Sequence, residues 1–310
     1  ICQTDKRCNM KYAIIDIGSN SIRLTVYRHD EEDGQVYIQF KDKVMAGLAG
    51  YVEDGDLSEK GIRKACDALK IYRKVLGNLA IENIYPFATA SLRNIGNARE
   101  VLARIKSETG FEVDIISGEE EAVLDFIGAT KVVNIDRGML VDIGGGSTEI
   151  VLFKDGNIEC AHSIPVGSLN MYKKHVKRLL PSKEEKRAIT KDVKKEIEKL
   201  NIECSEKQQK MCGVGGTLRA ARKLGIEITG RENADREVDA SDVKKVMKVL
   251  EGEEKETIDR ILRVVPERVH TILPGMIILS AIIKHFEAEQ IYVSSYGARE
   301  GYLYKNVLRR

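Results

Sequence analysis

Short apolar runs alternate with amphipathic stretches along this chain, and this alternation predicts an α/β protein. In the first half the predicted order is three strands, helix, strand, helix and strand. Ser58 predicts the start of the first helix and Gly77 its end. Asn97 and Glu100 resemble a capping box that opens the second helix, which Gly110 ends. The strands of this half are predicted at residues 15–27 (a hairpin), 35–44, 84–88 and 111–116.

The second half of the chain again mixes strands and helices. Its first two strands are predicted as a hairpin within residues 138–153. Ser182 and Glu185 predict a capping box for a helix that runs to about Leu200. Further strands are predicted at residues 158–166, 211–214 and 291–294, and further helices after Ser168, through Lys223, within residues 231–263, and at residues 274–286 and 297–305.

A run of glycines separates the two strands of the second-half hairpin. The turn between Asp142 and Glu149 contains Gly144, Gly145, Gly146, Ser147 and Thr148. Glycine lets backbone N–H groups approach an anion closely, and successive N–H groups of a turn bind phosphate. A carboxylate at each end of such a turn can hold a divalent cation. The alternative is a plain hairpin turn, but three glycines exceed what that turn requires, so we predict a phosphate site.

The same phrase occurs near the start of the chain. Asp16 aligns with Asp142, and Ser21 aligns with Ser147. The separation is about one domain length, which indicates two related halves rather than a solenoid. We therefore expect two phosphate-type hairpins that face each other across a cleft. Residues 89–93 form a polar turn after a strand, a position at which α/β sheets bind ligands.

Composition narrows the class of protein. Hydrophobic residues make up 43% and charged residues 32% of the chain, and the net charge of +2 gives no global field that would attract nucleic acid. The longest apolar run, residues 276–283, is too short to span a bilayer, and residues 1–9 lack the apolar core of a signal peptide. We predict no nucleic-acid partner and no membrane association. Because Met10 directly precedes the first strand, we expect residues 1–9 to be an extension.

The six cysteines are scattered: Cys2, Cys8, Cys66, Cys160, Cys204 and Cys212. They form no C-x-x-C pair and no spacing typical of zinc. This usage predicts reduced thiols and a cytoplasmic protein.

Residues 173–199 are locally basic, with eleven lysines and arginines against five acidic residues. Such a stretch is commonly a solvated helix face. The alternative is a surface that guides a polyanionic substrate, which the near-zero charge of the whole chain makes more noticeable. Both interpretations remain open at this point.

Six phrases together resemble the Ppx/GppA family of exopolyphosphatases and guanosine pentaphosphate phosphohydrolases: residues 15–24, 89–93, 116–122, 141–149, 213–217 and 293–301. They span nearly the whole chain in the family's order. The resemblance implies an α/β fold of two duplicated actin-like (ribonuclease H-like, ASKHA) domains around a central cleft. Domain I is expected to comprise residues 1–125 with the C-terminal helix 297–310, and domain II residues 126–296. Long members carry further C-terminal domains, and we expect this chain to end after the two core domains.

The resemblance also implies roles for individual residues. Glu121 corresponds to the general base, and Arg93 to a residue that stabilises charge on the transferred group. Asp142 and Glu149 correspond to the pair that anchors Mg²⁺, with Asp16 as a third carboxylate and Mn²⁺ as an alternative ion. The phosphate-binding positions are Asn20, Ser21, Gly144, Gly145, Gly146, Ser147 and Thr148. The implied assembly is a homodimer.

Three classes of function are compatible with this sequence. The first is a magnesium-dependent phosphohydrolase that releases terminal orthophosphate from polyphosphate, or the 5′-phosphate of guanosine pentaphosphate. The second is a small-molecule kinase of the same fold class, and the third is a non-enzymatic actin-like nucleotide-binding regulatory protein. Phosphoryl transfer to water needs a cation, donors to the phosphate oxygens and a carboxylate that orients the water, and the motifs supply all three. We therefore predict a phosphohydrolase, and the basic segment favours polyphosphate.

Overall fold

The computed structural model describes residues 9–32, 34–202, 209–231 and 237–309. The chain divides into two compact units, residues 1–117 and 118–310. Most of the predicted extension, residues 1–9, lies outside the described residues, as do Cys2, Cys8 and Cys204. The other cysteines, Cys66, Cys160 and Cys212, are free thiols, as predicted. None of the helices in the described ranges is both long and apolar enough to cross a membrane.

The first unit is built on a mixed sheet of five strands. Its elements, in chain order, are β1 (Asn9–Ile17), β2 (Ile22–Asp30), β3 (Val36–Val44), β4 (Val52–Glu53), β5 (Asp56–Leu57), α1 (Glu59–Asn78), β6 (Ile84–Ala88), α2 (Ala90–Arg93), α3 (Ala98–Thr109) and β7 (Asp114–Ile115). The first three strands form an antiparallel meander, and β6 and β7 join it in parallel, in the order β3-β2-β1-β6-β7. The predicted succession is confirmed, with the short β4–β5 hairpin and α2 in addition.

Helix α1 covers this sheet because its apolar residues recur at helical spacing. Ile62, Leu69 and Leu76 are buried at two-turn intervals and share one core with Leu24 of β2. The hydroxyl of the buried Tyr72 donates a hydrogen bond to the carbonyl of Ile22 at 3.0 Å. This bond gives the buried hydroxyl oxygen of Tyr72 the hydrogen-bond partner that a buried polar group requires.

One predicted helix boundary and one predicted capping box of the first unit differ from the structure, although α3 starts after Asn97 and ends before Gly110 as predicted. α1 continues through Gly77 to Asn78, and the chain first turns left-handed at Ala80, where φ is 51°. Asn97 precedes α3 but makes no capping bond. Its side chain instead donates to the carbonyl of Leu57 at 3.0 Å and accepts from the N–H of Leu57 at 2.9 Å. A contact distant in sequence therefore takes the side chain that the local pattern assigned to the helix.

The second unit contains a mixed sheet of six strands with helices on both faces. Its elements are α4 (Gly118–Ala129), β8 (Arg137–Ile143), β9 (Thr148–Lys154), β10 (Asn157–Ile164), α5 (Ser168–His175), α6 (Lys183–Glu198), β11 (Lys210–Val214), α7 (Gly215–Thr229), β12 (Glu237–Asp239), α8 (Ala240–Leu250), α9 (Glu254–Val264), α10 (Ile272–Phe286), β13 (Gln290–Val293) and α11 (Ala298–Tyr302), followed by a π-helical turn, Leu303–Val307. β12 is absent from the predicted elements, and α7 continues beyond its predicted end at Lys223 to Thr229.

The two sheets share one topology. In the second unit the order β10-β9-β8-β11-β13 repeats an antiparallel meander followed by two parallel strands. β12 extends this sheet at one edge, antiparallel to β13. The predicted duplication of the two halves is therefore confirmed in their strand order.

Alternation along β8 creates the layers of the second unit. Val141 and Ile143 belong to the core that contains residues of α6 and α10. Leu140 belongs to a separate core with Ala122 and Phe126 of α4. Because successive side chains of a strand point to opposite faces, α4 covers one face of the sheet and the other helices cover the opposite face.

The compact units divide between Ser117 and Gly118, immediately before α4. The predicted domain I differs from this division, because it comprises residues 1–125 together with the C-terminal helix 297–310. In the structure α4 packs on the second sheet, where the ring centroids of Phe126 and Phe153 are 5.1 Å apart. These contacts group α4 with the second unit.

The C-terminal helix α11 approaches α4 through glycines. A Cβ atom on Gly301 would lie 1.8 Å from the carbonyl oxygen of Leu124, and one on Gly128 would lie 2.2 Å from that of Gly297. No larger residue fits at these positions without moving backbone. The two helices are therefore in direct backbone contact, and both belong to the second unit.

The variant Gly301→Ala is expected to lower the free energy of unfolding by about 1–3 kcal/mol, because the added Cβ forces the two helix backbones apart. Urea denaturation followed by circular dichroism measures the loss. Gly225→Ala in α7 is the matched control, since no atom lies within 4 Å of its added Cβ. The control should leave stability unchanged or raise it by up to about 1 kcal/mol. Equal stabilities of the two variants would contradict the tight packing.

Candidate active site

Asp142 and Glu149 lie opposite each other on the hairpin of the second unit. They form a cross-strand pair at the end of β8 and the start of β9. By strand alternation Asp142 shares a face with Leu140, and Glu149 shares a face with Val151, and both of these apolar residues belong to the core under α4. Both carboxylates therefore project from the sheet face that α4 covers.

Helix α4 supplies two further carboxyl groups. Glu121 and Asp125 are four residues apart, so they lie on one side of the helix. Asp125 is only 1% exposed, and its Oδ1 accepts a hydrogen bond from the N–H of Ala298 at 2.7 Å. Its Oδ2 has no hydrogen-bond partner within the described residues. A buried carboxyl oxygen thus remains unsatisfied at the end of α11.

These four residues, Glu121, Asp125, Asp142 and Glu149, are termed the carboxylate cluster. Burial raises the pKa of Asp125 well above its ordinary value, and the negative charges of the other three members raise it further. Such mutual influence requires carboxyl groups that lie close together where water screens poorly. The structure therefore brings the predicted base together with two of the predicted metal ligands.

Asp142 lies against the N-terminus of α7. Gly215, the first residue of that helix, has a φ of +82°, and an added Cβ would lie 2.0 Å from Oδ1 of Asp142. Only glycine accommodates both the backbone conformation and the close carboxylate. The positive end of the helix dipole stabilises the negative charge at this position. Gly216 is covered by the guanidinium of Arg268, whose Nη2 would lie 1.6 Å from an added Cβ.

The glycine turn (residues 144–147) connects β8 to β9, and the N-terminus of α5 holds its carbonyl oxygens. Three consecutive carbonyls accept hydrogen bonds: Gly144 from the N–H of Ser168 (2.9 Å), Gly145 from the N–H of Leu169 (2.9 Å) and Gly146 from Nδ2 of Asn170 (2.8 Å). The loop is therefore fixed on the side that faces α5.

This attachment determines where the N–H groups of the turn point. In a trans peptide the N–H of each residue points away from the carbonyl of the preceding residue. The described chain contains no cis peptide, so the N–H groups of Gly145, Gly146 and Ser147 point away from α5. None of the three donates to an acceptor among the described residues. The turn presents a row of backbone donors, which is the arrangement that binds phosphate oxygens.

The first turn (residues 18–21), between β1 and β2, repeats this geometry. The N–H of Gly18 donates to the carbonyl of Ser21 at 3.1 Å, and the equivalent bond in the glycine turn measures 3.0 Å. The carbonyls of Ser19 and Asn20 accept bonds at 3.0 and 2.9 Å from N–H groups of residues 47–49. By the same peptide geometry, the N–H groups of Asn20 and Ser21 point away from that segment.

The other predicted residues of the first unit lie near this turn or near the ends of adjacent strands. Asp16 pairs across β1 and β2 with Arg23, whose Nε donates to Oγ of Ser21 at 3.0 Å. Arg93 ends α2, directly after β6, and its Nη1 donates to the carbonyl of Ile116 at 3.1 Å. The backbone at the end of β7 thereby helps to position the guanidinium.

Two residues of the site, Asn170 and Asp125, are not among the predicted site residues. Asn170 holds the glycine turn and also accepts a bond from the N–H of Gly167 at 2.7 Å, so one amide orders both the turn and the start of α5. The local sequence contains no S/T-x-x-E/Q pattern that would have identified it, since Gly167 precedes the helix. The signal for Asp125 was its four-residue spacing from Glu121.

The hydroxyl of Thr148 serves the fold. The residue is fully buried, and its Oγ1 donates to the carbonyl of Val166 at 2.5 Å. This bond fastens the start of β9 to the segment that leads into α5. Because its O–H group is used in this bond, the side chain of Thr148 has no donor left for the predicted contact with phosphate.

The carboxylate cluster is suited to a divalent cation that shares its ligands with a substrate. Within the described part of the chain, no three or more His, Cys, Asp or Glu side chains converge as a complete metal-binding group. Mg²⁺ is commonly bound through one or two carboxylates, with phosphate oxygens and waters as further ligands. Asp142 and Glu149, opposite each other at the base of the glycine turn, fit such a partial donor set.

Solved structures define the class of fold. The chain superposes on the Aquifex aeolicus member of the Ppx/GppA protein family with a TM-score of 0.78 and 29% identity, over 97% of this chain and 98% of that one. A structure described as an exopolyphosphatase from Cytophaga hutchinsonii gives a TM-score of 0.86 at 21% identity, over 96% and 97% of the two chains. The predicted α/β fold class of actin-like, ASKHA-type proteins is therefore confirmed.

The family follows from the sequence comparison. The model of the Ppx/GppA phosphatase family matches residues 25–310, and the chain belongs to that family. It is 30% identical over 300 residues to a guanosine-5′-triphosphate,3′-diphosphate pyrophosphatase from Vibrio cholerae, covering 96% of this chain and 59% of the relative. A protein of the same name from Photobacterium profundum is 28% identical, with 95% and 59% covered. The chain thus spans about three-fifths of the length of these curated relatives.

Asp125→Asn is expected to change how stability depends on pH. Above the ordinary aspartate pKa of 3.8 the unfolded chain releases this proton, whereas the folded protein keeps it. Raising the pH through this window therefore destabilises the wild type by up to about 1.4 kcal/mol per pH unit, a penalty that asparagine does not incur. The stability of Asp125→Asn relative to wild type should rise as the pH increases above about 4, until the carboxyl group of the folded wild type itself ionises. Urea denaturation at several pH values, in the presence of a chelator, measures the difference.

Asp192 provides a control of opposite sign. The hydrogen bond from Lys174, at 2.7 Å, is the main cause that lowers the pKa of Asp192. Its charged form therefore stabilises the folded protein, so the stability of Asp192→Asn relative to wild type should fall as the pH rises towards 3.8 and should stay level above that pH. Parallel pH curves for wild type and Asp125→Asn would contradict the carboxylate cluster.

Proposed function

We propose that this protein hydrolyses the terminal phosphoanhydride bond of inorganic polyphosphate and releases orthophosphate. The observation that carries the proposal is the row of three N–H donors in the glycine turn, at the edge of the carboxylate cluster. The donors suit the oxygens of a terminal phosphoryl group, whereas the carboxylates suit a cation and an attacking water. Membership of the Ppx/GppA phosphatase family supports this class of reaction.

Glu121 is the proposed general base, which takes the proton of the attacking water. It lies in the first turn of α4 and is half-buried. It lies beside Asp125, Asp142 and Glu149 in the carboxylate cluster, and a carboxylate in such a position can orient a water and accept its proton. Asp125, whose pKa is raised by burial and then by these neighbours, stays neutral over a wider pH range and so relieves the cluster of one charge.

Asp142 and Glu149 are the proposed ligands of Mg²⁺, or of Mn²⁺ as an alternative, and Asp16 is the proposed third carboxylate. Phosphohydrolases of this family generally depend on a divalent metal. Such an ion, when bound, neutralises charge on phosphate oxygens and favours attack by water. The protein's contribution is positioning, since the hydroxyl of Ser163 donates to Oε1 of Glu149 at 2.8 Å.

The remaining predicted residues divide between phosphate binding and charge stabilisation. Residues 144–148 are proposed to cradle one phosphate group, with the backbone N–H groups of Gly145, Gly146 and Ser147 as the donors. Asn20 and Ser21 are proposed to hold another phosphate. Arg93 is proposed to stabilise charge on the transferred group, a task for which the planar guanidinium with several donors is well suited.

Guanosine pentaphosphate is the second candidate substrate. The curated relatives are named guanosine-5′-triphosphate,3′-diphosphate pyrophosphatases, which favours release of the 5′-phosphate of that nucleotide. Phosphate release measured side by side on both substrates, with and without Mg²⁺, separates the candidates. A small-molecule kinase would release no phosphate without an acceptor, and a non-enzymatic nucleotide-binding protein would bind without turnover.

The proposed location of the protein is the cytoplasm, as the cysteines predict. The free thiols of Cys66, Cys160 and Cys212 support a cytoplasmic protein. We further propose a homodimer without a nucleic-acid or membrane partner. Light scattering of the purified protein tests the oligomeric state.

Glu121→Gln is expected to lower the rate of phosphate release by about 10²–10⁴, because glutamine cannot accept the proton of the attacking water. The measurement is the turnover number on polyphosphate. Glu119→Gln is the matched control, since Glu119 lies in the same first turn of α4 and is exposed. The control should keep wild-type turnover. Equal losses in the two variants would remove Glu121 from its proposed role.

Asp142→Asn is expected to raise the Mg²⁺ concentration needed for half-maximal activity by about tenfold or more, because a neutral amide is a weaker ligand for a hard cation than a carboxylate. Titration of activity with Mg²⁺ measures the change. Asp155→Asn, at the exposed tip of the β9–β10 hairpin, is the control and should leave the requirement unchanged. An unaltered metal dependence in Asp142→Asn would argue against this ligand.

A further inference from the structure

One face of α6 carries an open basic groove of about 1020 Å³. The term basic groove refers to its six cationic side chains, Lys183, Lys186, Arg187, Lys191, Lys194 and Lys195. The opposite face of the helix buries Ile189, Val193 and Ile197 in the core. The core thus fixes the orientation of the helix, and the cations from Lys183 to Lys194 extend over roughly 16 Å along its axis.

Most acidic residues of α6 are engaged away from the basic groove. Glu185 closes the predicted capping box with Ser182. Asp192 pairs with two cations of α5 at 2.7 and 2.8 Å, and Glu196 pairs with Lys199 at 2.6 Å. Glu198 is the acidic residue of α6 that lines the groove together with the six cations, so the groove keeps an excess of positive charge.

Six cations outnumber the two carboxylates that line the groove, those of Glu198 and Glu251. Lys186 lies 3.8 Å from a carboxylate oxygen of Glu251. The other five make no ion pair with any described residue. In a chain whose net charge is only +2, this concentration produces a local positive potential that attracts polyanions.

Helix α5 connects the basic groove to the glycine turn. Its first residues hold the carbonyls of the turn, and Lys174 and His175 at its other end are bound to Asp192 of α6. With eight residues, α5 is about 12 Å long. The glycine turn and α6, the helix that carries the groove, are thus separated by one short helix within the same unit.

The chemistry of the groove favours repeated phosphate groups over nucleic acid. Proteins that bind single-stranded nucleic acid combine positive charge with aromatic side chains that stack on the bases. Among the described residues that line the groove, none is aromatic. Five of its six cations are lysines, whose compact charge lacks the fixed fork of arginine and can hold a uniform anionic chain in many registers.

We propose that the basic groove binds the distal part of a long polyphosphate chain whose terminal phosphate lies in the glycine turn. This inference rests on the proposed exopolyphosphatase function and adds a second binding surface to it. Attachment of the chain at α6 raises the local concentration of its end at the turn, so long chains bind with a lower KM than short ones. Tripolyphosphate is too short to occupy both surfaces, and it therefore gains nothing from the groove.

The test variant replaces Lys191, Lys194 and Lys195, all exposed, with glutamine. The ratio of the KM for long-chain polyphosphate to the KM for tripolyphosphate, measured by phosphate release, should rise about fivefold or more. The log–log dependence of long-chain affinity on salt should become shallower by about two. Lys244, Lys248 and Lys255 of α8 and α9 are equally exposed, and their replacement by glutamine is the control, which should leave the ratio unchanged.

Direct binding separates the groove from catalysis. Fluorescently labelled long-chain polyphosphate and single-stranded RNA are titrated, at equal salt, into Glu121→Gln with and without the three groove substitutions. The groove substitutions should weaken polyphosphate binding about fivefold or more, and RNA should bind more weakly than polyphosphate. Equal or tighter binding of RNA, or an unchanged affinity for polyphosphate, would overturn the inference.

The two proposals fail in different ways. A wild-type protein that releases no phosphate from either polyphosphate would refute the proposed function, and the binding titration would then decide the groove alone. Turnover of both substrates with an unchanged KM ratio in the groove variant would refute only the groove.

Discussion

The attachment of the glycine turn to α5 is the constraint on which the candidate site depends. Glycine has wide backbone freedom, so residues 144–146 alone could present either carbonyls or N–H groups to a ligand. Five hydrogen bonds from α5 engage the three carbonyls, each contributing about 0.5–1.5 kcal/mol, and the N–H groups are thereby directed outward. Asn170 binds the turn, the Pro165 carbonyl and its own helix start with one amide, so the anion-binding geometry is built into the start of a helix.

The second constraint is the concentration of negative charge beside these donors. Buried carboxylates that are close together repel one another, and the protein partly offsets this with the N-termini of α7 and α11, which face Asp142 and Asp125. The raised pKa of Asp125, which burial causes first and the neighbouring carboxylates second, indicates that repulsion remains. A divalent cation would remove it, which gives the metal dependence of the family a physical basis in this chain.

Features set by local sequence were predictable, and features set by distant contacts were not. The glycine hairpin and the capping box at Ser182 follow from residues within one turn of each other, and both are present. Asn97 was misassigned because its partner, Leu57, is remote in sequence. Asp125 resembled an ordinary helix residue, since its significance arises only when α4 covers the face that carries Asp142 and Glu149. The three-residue strand β12 is too short to show a periodic pattern.

The duplicated hairpins keep one backbone and differ in charge. Gly18 and Gly144 each donate to the fourth residue of their turn, at 3.1 and 3.0 Å. Across the strands, however, Asp16 faces Arg23, whereas Asp142 faces Glu149. The first hairpin therefore carries one negative and one positive charge at this position, beside a turn whose backbone donors suit phosphate. An aspartate opposite a second carboxylate leaves a negative pair that attracts a cation. The two hairpins therefore share one backbone geometry, and the residue at the cross-strand position sets the local charge beside each turn.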